Sequence, residues 1–408
     1  MNMSELLPEL LEQAIALPAA RPLIPRLPAS PTVYLVGGAV RDLLLGGSPV
    51  DLDLVVEGDT AAFATSLGGE LKVHDRFGTS TVSLDGHSYD IARARRETYA
   101  HPGALPDVAP APLAEDLERR DFTVNTFALA LVGDRAGELR SVPPALEDLE
   151  TRRLRVLHDQ SFIDDPTRLF RLVRYATRLG FEIEPHTRAL ADRAIAGGTL
   201  ATVSGPRIGA ELRLLAREPD PVRALLGLRE LGLDAAILPG FGVDDEDLAR
   251  RAVVLLPADG GRRDRLALAV AARGVPAPEL TALLDSLAFE AEDRDAIVAA
   301  ATRADEVALA LSAAGAPSEI AAAAGAGPPE LVALAGALGP ETEAREWLGA
   351  LRHVGLEIDG RDLIAAGVSE GPAIGRGLRA ALAAKLDRRV SGRDQELAAA
   401  LDAAGAPE

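Results

Sequence analysis

Two aspartates separated by one residue, Asp51 and Asp53, follow a glycine turn that runs Val36-Gly37-Gly38-Ala39-Val40-Arg41-Asp42. On an extended strand residues i and i+2 point to one face, so the two carboxylates lie side by side. Like charges held that close are costly unless a cation sits between them. Oxygen ligands of this kind suit Mg²⁺, which keeps part of its water and completes its shell with substrate phosphates. Gly37 and Gly38 let a triphosphate approach the backbone at a helix start, where free N–H groups and the dipole favour an anion. Arg41 adds a charge-assisted contact to that triphosphate, and Asp42 either orients Arg41 or makes a surface ion pair. Asp90, on a later strand, could bring a third oxygen ligand. The pattern implies nucleotidyl transfer, with Mg²⁺ held by Asp51 and Asp53.

Two more clusters bear on the same chemistry. Arg119-Arg120-Asp121-Phe122-Thr123-Val124-Asn125 sets two arginines beside an aspartate, able to clamp triphosphate and ribose while Phe122 packs inward. Asp121 and Asn125 are i and i+4 and share a face if the segment is helical. Asp164-Asp165-Pro166-Thr167-Arg168 then opens a basic helix, with Asp165 placed as N-cap and Pro166 at the first helical position. Capping alone would explain the acids. Yet Asp165 and Arg168, at i and i+3, also present an acceptor beside a donor. That pair complements the exocyclic amine and ring acceptor of cytosine or adenine. Uracil and guanine would leave buried groups unpaired, at about 1–3 kcal/mol each.

These residues need a scaffold of short strands. Val33 to Val36 and Leu52 to Val56 read as strands, and Val40 to Leu45 as the first turns of a helix. Ser80 to Leu84 with Ser88 to Ala92 reads as a hairpin across Asp85-Gly86. The stretch between Arg95 and Pro112 holds Pro102, Pro106, Pro110 and Pro112 and reads as an extended, mobile loop, a candidate lid. From Pro166 the pattern turns helical, and after Pro219 it is rich in alanine and leucine with short Gly/Pro breaks, as in an all-α array.

Composition narrows the class. The chain has 408 residues, 48% of them hydrophobic, a net charge of −19 and no cysteine. The absent cysteines exclude disulfides, zinc-thiolate sites and thiol nucleophiles and fit a reducing, cytoplasmic setting. No run of apolar residues is long enough for a transmembrane helix, and Met1 to Leu17, with Glu5, Glu9 and Glu12, reads as a short amphipathic helix rather than a signal peptide. The acidic total argues against general adhesion to nucleic acid. Between Thr151 and Arg217, however, twelve arginines face seven acids. Arg168, Arg171, Arg174 and Arg178 line one helix face, a stripe suited to local capture of a phosphate backbone, with a solvated face as the plainer alternative. A dinucleotide oxidoreductase is disfavoured, because the Gly-x-Gly-x-x-Gly fingerprint is absent.

Taken together, Leu35 to Asp42 with Asp51-Leu52-Asp53, then Arg119 to Asn125, then Asp164 to Arg168 running through Arg171, Arg174 and Gly180-Phe181, resemble the class II tRNA nucleotidyltransferases and their bacterial poly(A) polymerase relatives. The match covers roughly Thr32 to Arg217. Two positions depart from the family pattern: Asp164 stands where Glu is common, and Thr126 where Ala is usual. The resemblance implies an α+β fold, with a small β-polymerase-like head (a mixed sheet with helices) followed by an all-α neck, body and tail. The corresponding segments are an N-terminal helical extension (1–30), head (31–150), neck (151–217), body (218–340) and tail (341–408). Implied nucleotide-binding residues are Gly37, Gly38, Arg41, Arg119, Arg120, Asp121, Asn125, Asp165, Arg168 and Arg171. Asp51, Asp53 and Asp90 are the catalytic group, and Arg174 and Arg178 would touch RNA. The implied partners are the tRNA 3′ acceptor end, CTP and ATP, and the implied reaction is addition of CMP and/or AMP. The full-length lid, Arg95 to Leu113, disfavours CC-only addition and resembles that of A-adding members. The alternatives are an A-adding enzyme or poly(A) polymerase using ATP only, and a non-catalytic nucleotide- or RNA-binding regulator on the same fold.

Overall fold

The computed structural model describes residues 9–74 and 78–405. It divides into two compact units, Met1–Ser204 and Gly205–Glu408. In the first, helix α1 (Leu10–Ala16) falls within the expected amphipathic segment, whose Glu5 lies outside the described residues. The strands and helices that follow are β1 (Val33–Val36), α2 (Gly38–Leu44), β2 (Leu52–Val56), α3 (Thr60–Leu67), β3 (Glu70–His74), β4 (Thr79–Leu84) and β5 (His87–Arg93). They continue with β6 (Arg95–Thr98), β7 (Asp107–Pro110), α4 (Leu113–Glu118), a 3₁₀ turn (Thr123–Asn125), β8 (Ala128–Ala130), β9 (Leu139–Arg140) and α5 (Ala145–Glu150). The unit ends with β10 (Arg153–Leu154), α6 (Ser161–Asp164), α7 (Arg168–Leu179), β11 (Glu182–Ile183) and α8 (Pro185–Ala196).

Seven strands form one mixed sheet in the order β3-β4-β5-β2-β1-β8-β9. All four residues of β1 are buried, as expected for a central strand covered on both faces. Tyr34 and Val36 point to one side, against Val55, Ala128, Ala130 and the α4 residues Leu113 and Leu117. Strand β2 runs antiparallel to β1 but parallel to β5, and that parallel register sets Asp53 beside Asp90. The expected β4–β5 hairpin is present, with Asp85 at φ 48° and Gly86 at φ 83°, the paired positive angles that an Asp-Gly two-residue turn favours.

The proline-rich stretch departs from the expected open loop. Its two ends pair as an antiparallel hairpin, Arg95 opposite Pro110 through Thr98 opposite Asp107. Pro102 and Pro106 fall in the connecting loop, and Pro110 sits at the last rung of a separate two-stranded sheet, where a missing N–H donor costs least. The loop is anchored: the N–H of Gly103 donates to the carbonyls of Ile163 and Asp164, each at 3.3 Å. Gly103 has φ +69°, and a Cβ there would fall 2.3 Å from Thr202 Oγ1. Glycine is required on both counts.

Among the described residues of the second unit, every regular element is helical. The unit comprises α9 (Gly205–Ala216), α10 (Pro221–Leu231), α11 (Leu233–Ile237), α12 (Glu246–Leu255), α13 (Arg263–Ala271), α14 (Ala277–Ser286) and α15 (Ala291–Ala313). Then come α16 (Pro317–Ala324), α17 (Pro329–Ala337), α18 (Glu341–Gly349), α19 (Gly360–Ala365), α20 (Pro372–Leu386) and α21 (Arg393–Gly405), with a short 3₁₀ turn (Leu351–His353) after α18. Every residue of α17 from Glu330 to Ala337 is buried, so this apolar helix is core. No single helix among the described residues is long and apolar enough to cross a membrane. The last three helices carry a small core of their own, Ile358, Leu363, Ala381 and Ala400, and α19 opens on a capping box between Asp359 and Asp362.

One buried group in the first unit positions the site directly. Asp148 on α5 is fully buried and accepts from Thr123 Oγ1 at 2.7 Å and from Arg155 Nε and Nη2 at 3.0 to 3.1 Å. It thereby fixes the 3₁₀ turn that carries Asn125. Asp148→Ala should lower stability by about 3 kcal/mol, because Thr123 and the inner side of Arg155 lose their acceptor. The check is the urea midpoint at unchanged slope.

Candidate active site

The glycine turn forms because β1 ends at Val36 and the chain reverses sharply into α2. Gly37 has φ +68°, and a Cβ added there would lie 3.0 Å from Arg120 Nη1. Gly37 and Gly38 therefore form one wall of a cavity of about 310 Å³. Asp53, Arg119, Arg120, Asp121, Asn125, Asp165, Arg168 and Arg171 line the rest, so ten of the residues singled out by sequence converge on one space. Glu97, Tyr99 and Tyr175 complete the lining.

Asp53 projects from β2 between the buried Leu52 and Leu54. Burial, then the neighbouring Asp90 and Asp51, push its carboxyl above the usual aspartate range, while Arg120 pulls it down. Asp90 stands opposite Asp53 in the ladder and accepts from Thr81 Oγ1 at 2.7 Å. Asp51 lies just ahead of the strand and is exposed. Neither Asp51 nor Asp90 lines the cavity itself. Among the described residues no three carboxylates or histidines gather closely enough to hold a metal ion by themselves. Crowded carboxylates, of which Asp53 has a raised proton affinity, nevertheless fit a divalent cation that takes few protein ligands and leaves positions for water and phosphate.

The arginines are arranged by acids that the sequence reading did not single out. Asp116 on α4 is fully buried; its Oδ1 accepts from Arg119 Nε and Nη2, and its Oδ2 from Arg120 Nη2. Burial raises this carboxyl, but the two guanidiniums outweigh it and hold it below the ordinary value. Glu97 on β6 accepts from Arg119 Nη1 at 2.8 Å and from Arg95, and its second oxygen accepts from the Tyr99 hydroxyl at 3.2 Å. Tyr99 is pushed up to about 12, chiefly by burial and against the pull of Arg168, so it remains a neutral donor. Asp116 sits in Glu115-Asp116-Leu117, where its i+3 and i+4 spacing to Arg119 and Arg120 was the available signal.

Arg41 occupies a different place from the one expected. It is 3% exposed, and its Nε and Nη2 reach Asp42 while Nη1 donates to Asn125 Oδ1 at 2.6 Å. Its guanidinium stands behind the cavity wall rather than in it. Asn125 Nδ2 donates in turn to Asp121 Oδ1 at 2.9 Å, and Asp121 Oδ2 receives Arg171 Nε at 2.7 Å. Asp121 and Asn125 do meet, across a 3₁₀ turn rather than an α-helix. Arg168 is 5% exposed, donating to Ser161 Oγ and to the Arg119 carbonyl. Asp165 Oδ1 accepts from the Thr167 N–H and hydroxyl, so it caps the turn into α7 and also faces the cavity. The helix itself begins at Arg168, two residues after Pro166. Arg174 is buried against the Tyr175 ring, which removes it from an RNA-facing surface. Arg178, near the far end of α7, is exposed and outside the cavity.

Asp121 makes an electrostatic prediction. Burial pushes its carboxyl up, but Arg171 and the hydrogen bonds from Asn125 and Arg171 prevail and hold it at about 2. A folded-state value below the unfolded one means stability that is present above about pH 4 and lost as pH falls toward 2. Asp121→Asn should remove on the order of 2 kcal/mol at pH 7 and flatten the acid limb of the stability profile, read by denaturant titration from pH 7 to pH 2.

Two family models match the chain: the poly A polymerase head domain over residues 33–155, and the probable RNA and SrmB-binding site of polymerase A over residues 180–243. The CC-adding tRNA nucleotidyltransferase of Deinococcus radiodurans is 36% identical over 369 residues, which are 89% of this chain and 87% of that protein. The A-adding tRNA nucleotidyltransferase of Geobacter sulfurreducens is 45% identical over 212 residues, 51% of this chain but 24% of that protein. That of Halalkalibacterium halodurans is 44% identical over 213 residues, so the chain spans half or less of these two A-adding relatives. Among solved structures, a CCA-adding enzyme in complex with CTP superposes with a TM-score of 0.80 at 26% identity, covering 100% of this chain and 99% of the other. The Thermotoga maritima CCA-adding enzyme complexed with tRNA gives 0.76 at 26% identity, over 97% and 98% of the two chains. With the motifs of the cavity in place and a relative of this identity aligned along most of both chains, the chain belongs to the tRNA nucleotidyltransferase family.

Proposed function

We propose that this protein is a Mg²⁺-dependent nucleotidyltransferase that adds CMP and/or AMP to the 3′ end of tRNA in the cytoplasm, releasing pyrophosphate. The observation that carries the reading is the single cavity on which Asp53, the Gly37-Gly38 turn, the Arg119-Arg120 pair and Asp165 with Arg168 converge. Asp51 and Asp53 would hold the metal, with Asp90 beside them. Bound there, Mg²⁺ supplies Lewis-acid stabilisation of the attacking hydroxyl and the departing pyrophosphate.

The chain's own residues do the remaining work. The Gly37-Gly38 backbone admits the triphosphate close to β1. Arg119 and Arg120, set by Asp116 and Glu97, face its charge, and Arg171 joins them by exchanging Asp121 for a phosphate oxygen. Asp165 accepts from the exocyclic amine of cytosine or adenine while Arg168 donates to the ring acceptor. The RNA 3′ hydroxyl then attacks the α-phosphorus in line. Proximity and electrostatics account for the rate, since phosphoryl-type transfer needs little covalent help from the protein.

A narrower reading, addition of the terminal A alone, is favoured by two observations. The lid is a formed hairpin that carries Tyr99 into the cavity, and identity to A-adding relatives reaches 45% over about half of the chain. The long alignment with a CC-adding relative pulls the other way. Offering purified protein tRNAs that end before CCA and after CC, each with CTP and ATP, separates these products. CMP followed by AMP establishes full CCA addition, AMP on the CC-ending tRNA alone establishes A addition, and no incorporation of either rejects nucleotidyl transfer.

Asp53→Asn should lower incorporation by on the order of 10³-fold, the equivalent of about 4 kcal/mol of transition-state stabilisation, while ATP binding persists. Incorporation unchanged in that variant would remove Asp53 from the catalytic group, whereas ATP binding without incorporation by the unmodified protein would return it to the class of non-catalytic binders.

A further inference from the structure

One ring at the back of the cavity is surrounded by positive charge. The guanidinium carbons of Arg174, Arg41 and Arg171 lie 5.1, 5.4 and 5.8 Å from the centroid of Tyr175. Phe122 meets the same ring edge-on, with centroids 5.9 Å apart and planes at 81°. Arg41 comes from α2 and the other two from α7, so the ring is where arginines of separate elements meet. Tyr175 itself lines the cavity.

Three guanidiniums drawn to one spot repel one another, and a compensating field is needed. Asp42 answers Arg41 and Asp121 answers Arg171. The ring quadrupole supplies a further attraction, about 0.5–1 kcal/mol per cation at partly exposed sites and more when desolvated. Unlike a carboxylate, it neutralises no charge and fixes no hydrogen-bond direction. A guanidinium held by a ring face can change its hydrogen-bond acceptor without leaving the ring.

We propose that Tyr175 is a positioning residue for the anionic chain of the incoming nucleotide, a π plate that presents Arg171 to the cavity and is backed by the buried Arg41 and Arg174. Arg171 turns from Asp121 to phosphate on that plate. The inference rests on the reading of this cavity as a triphosphate site. It assigns the aromatic ring, not the phenol hydroxyl, as the working group.

Binding of inorganic tripolyphosphate and of ATP, measured by calorimetry without tRNA, tests the plate apart from turnover. Tyr175→Leu should weaken tripolyphosphate about tenfold, because Arg171 loses the ring that keeps it beside the phosphates, and raise the KM for ATP in parallel with kcat changed by less than about threefold. Tyr175→Phe should restore binding to within about twofold of the original protein, since it restores the ring. Trifluorinated phenylalanine at position 175 keeps the ring's shape but drains its quadrupole, and should behave like leucine even if the leucine variant folds poorly. The plate is overturned if the fluorinated ring binds tripolyphosphate as well as phenylalanine, if Phe loses as much as Leu, or if kcat falls with KM unchanged. Unmodified protein that binds no tripolyphosphate overturns it too. Protein that binds tripolyphosphate in this ring-dependent way yet incorporates neither CMP nor AMP would refute the proposed reaction and leave the plate standing.

Discussion

Asn125 is the joint on which the site depends. Its carbonyl oxygen accepts from Arg41 and its amide donates to Asp121, so one side chain links the first helix of the head to the 3₁₀ turn. Asp121 then takes Arg171 from α7, extending the chain of contacts into the helix that bears Arg168. Each buried charge in this relay is answered by the next, and a break would leave an ion without a partner in a low-dielectric setting. The cavity is thus shaped by contacts behind its walls. Of the inward-facing arginines, Arg171 is held by Asp121, and Arg119 and Arg120 by Asp116, with Glu97 also on Arg119.

Much of the head was legible because its strands are short, apolar and punctuated by residues with one conformational meaning. Val33–Val36, Leu52–Val56 and the Asp85-Gly86 turn lie where alternation and turn chemistry put them. The converging motifs were legible for a similar reason: each carries charge in a spacing that a random surface seldom needs. Glu97 was not, since its importance lies in long-range geometry, reaching Arg119 across the hairpin, whereas the Asp116 signal was local, an i+3 and i+4 spacing to Arg119 and Arg120. The lid misled because four prolines suggest an open loop, whereas Arg95 to Thr98 alternates half-buried and exposed, a strand signal in a charged sequence. Arg41 misled because a helix-start arginine beside a glycine turn reads as a phosphate contact, and only packing reveals it as buried.

The charge distribution follows from the same arrangement. A net charge of −19 would repel RNA if spread evenly, yet the cavity gathers four arginines while acids that could oppose them are buried as their partners. Asp53 and Asp90 remain the exception, two carboxylates set side by side by the register, with Arg120 only partly offsetting their effect on Asp53.

The parallel pairing of β2 with β5 has a consequence for how the protein is made. A hairpin closes locally, but this pairing waits until α3, β3 and β4, which intervene in the sequence, have been made. Parallel, non-local contacts of this kind form slowly, because loop-closure entropy must be overcome before they stabilise anything. On a ribosome, Asp53 emerges well before the residue that will stand beside it. The acidic pair therefore comes into being only when β5 docks against β2, not with the nascent chain's first strands.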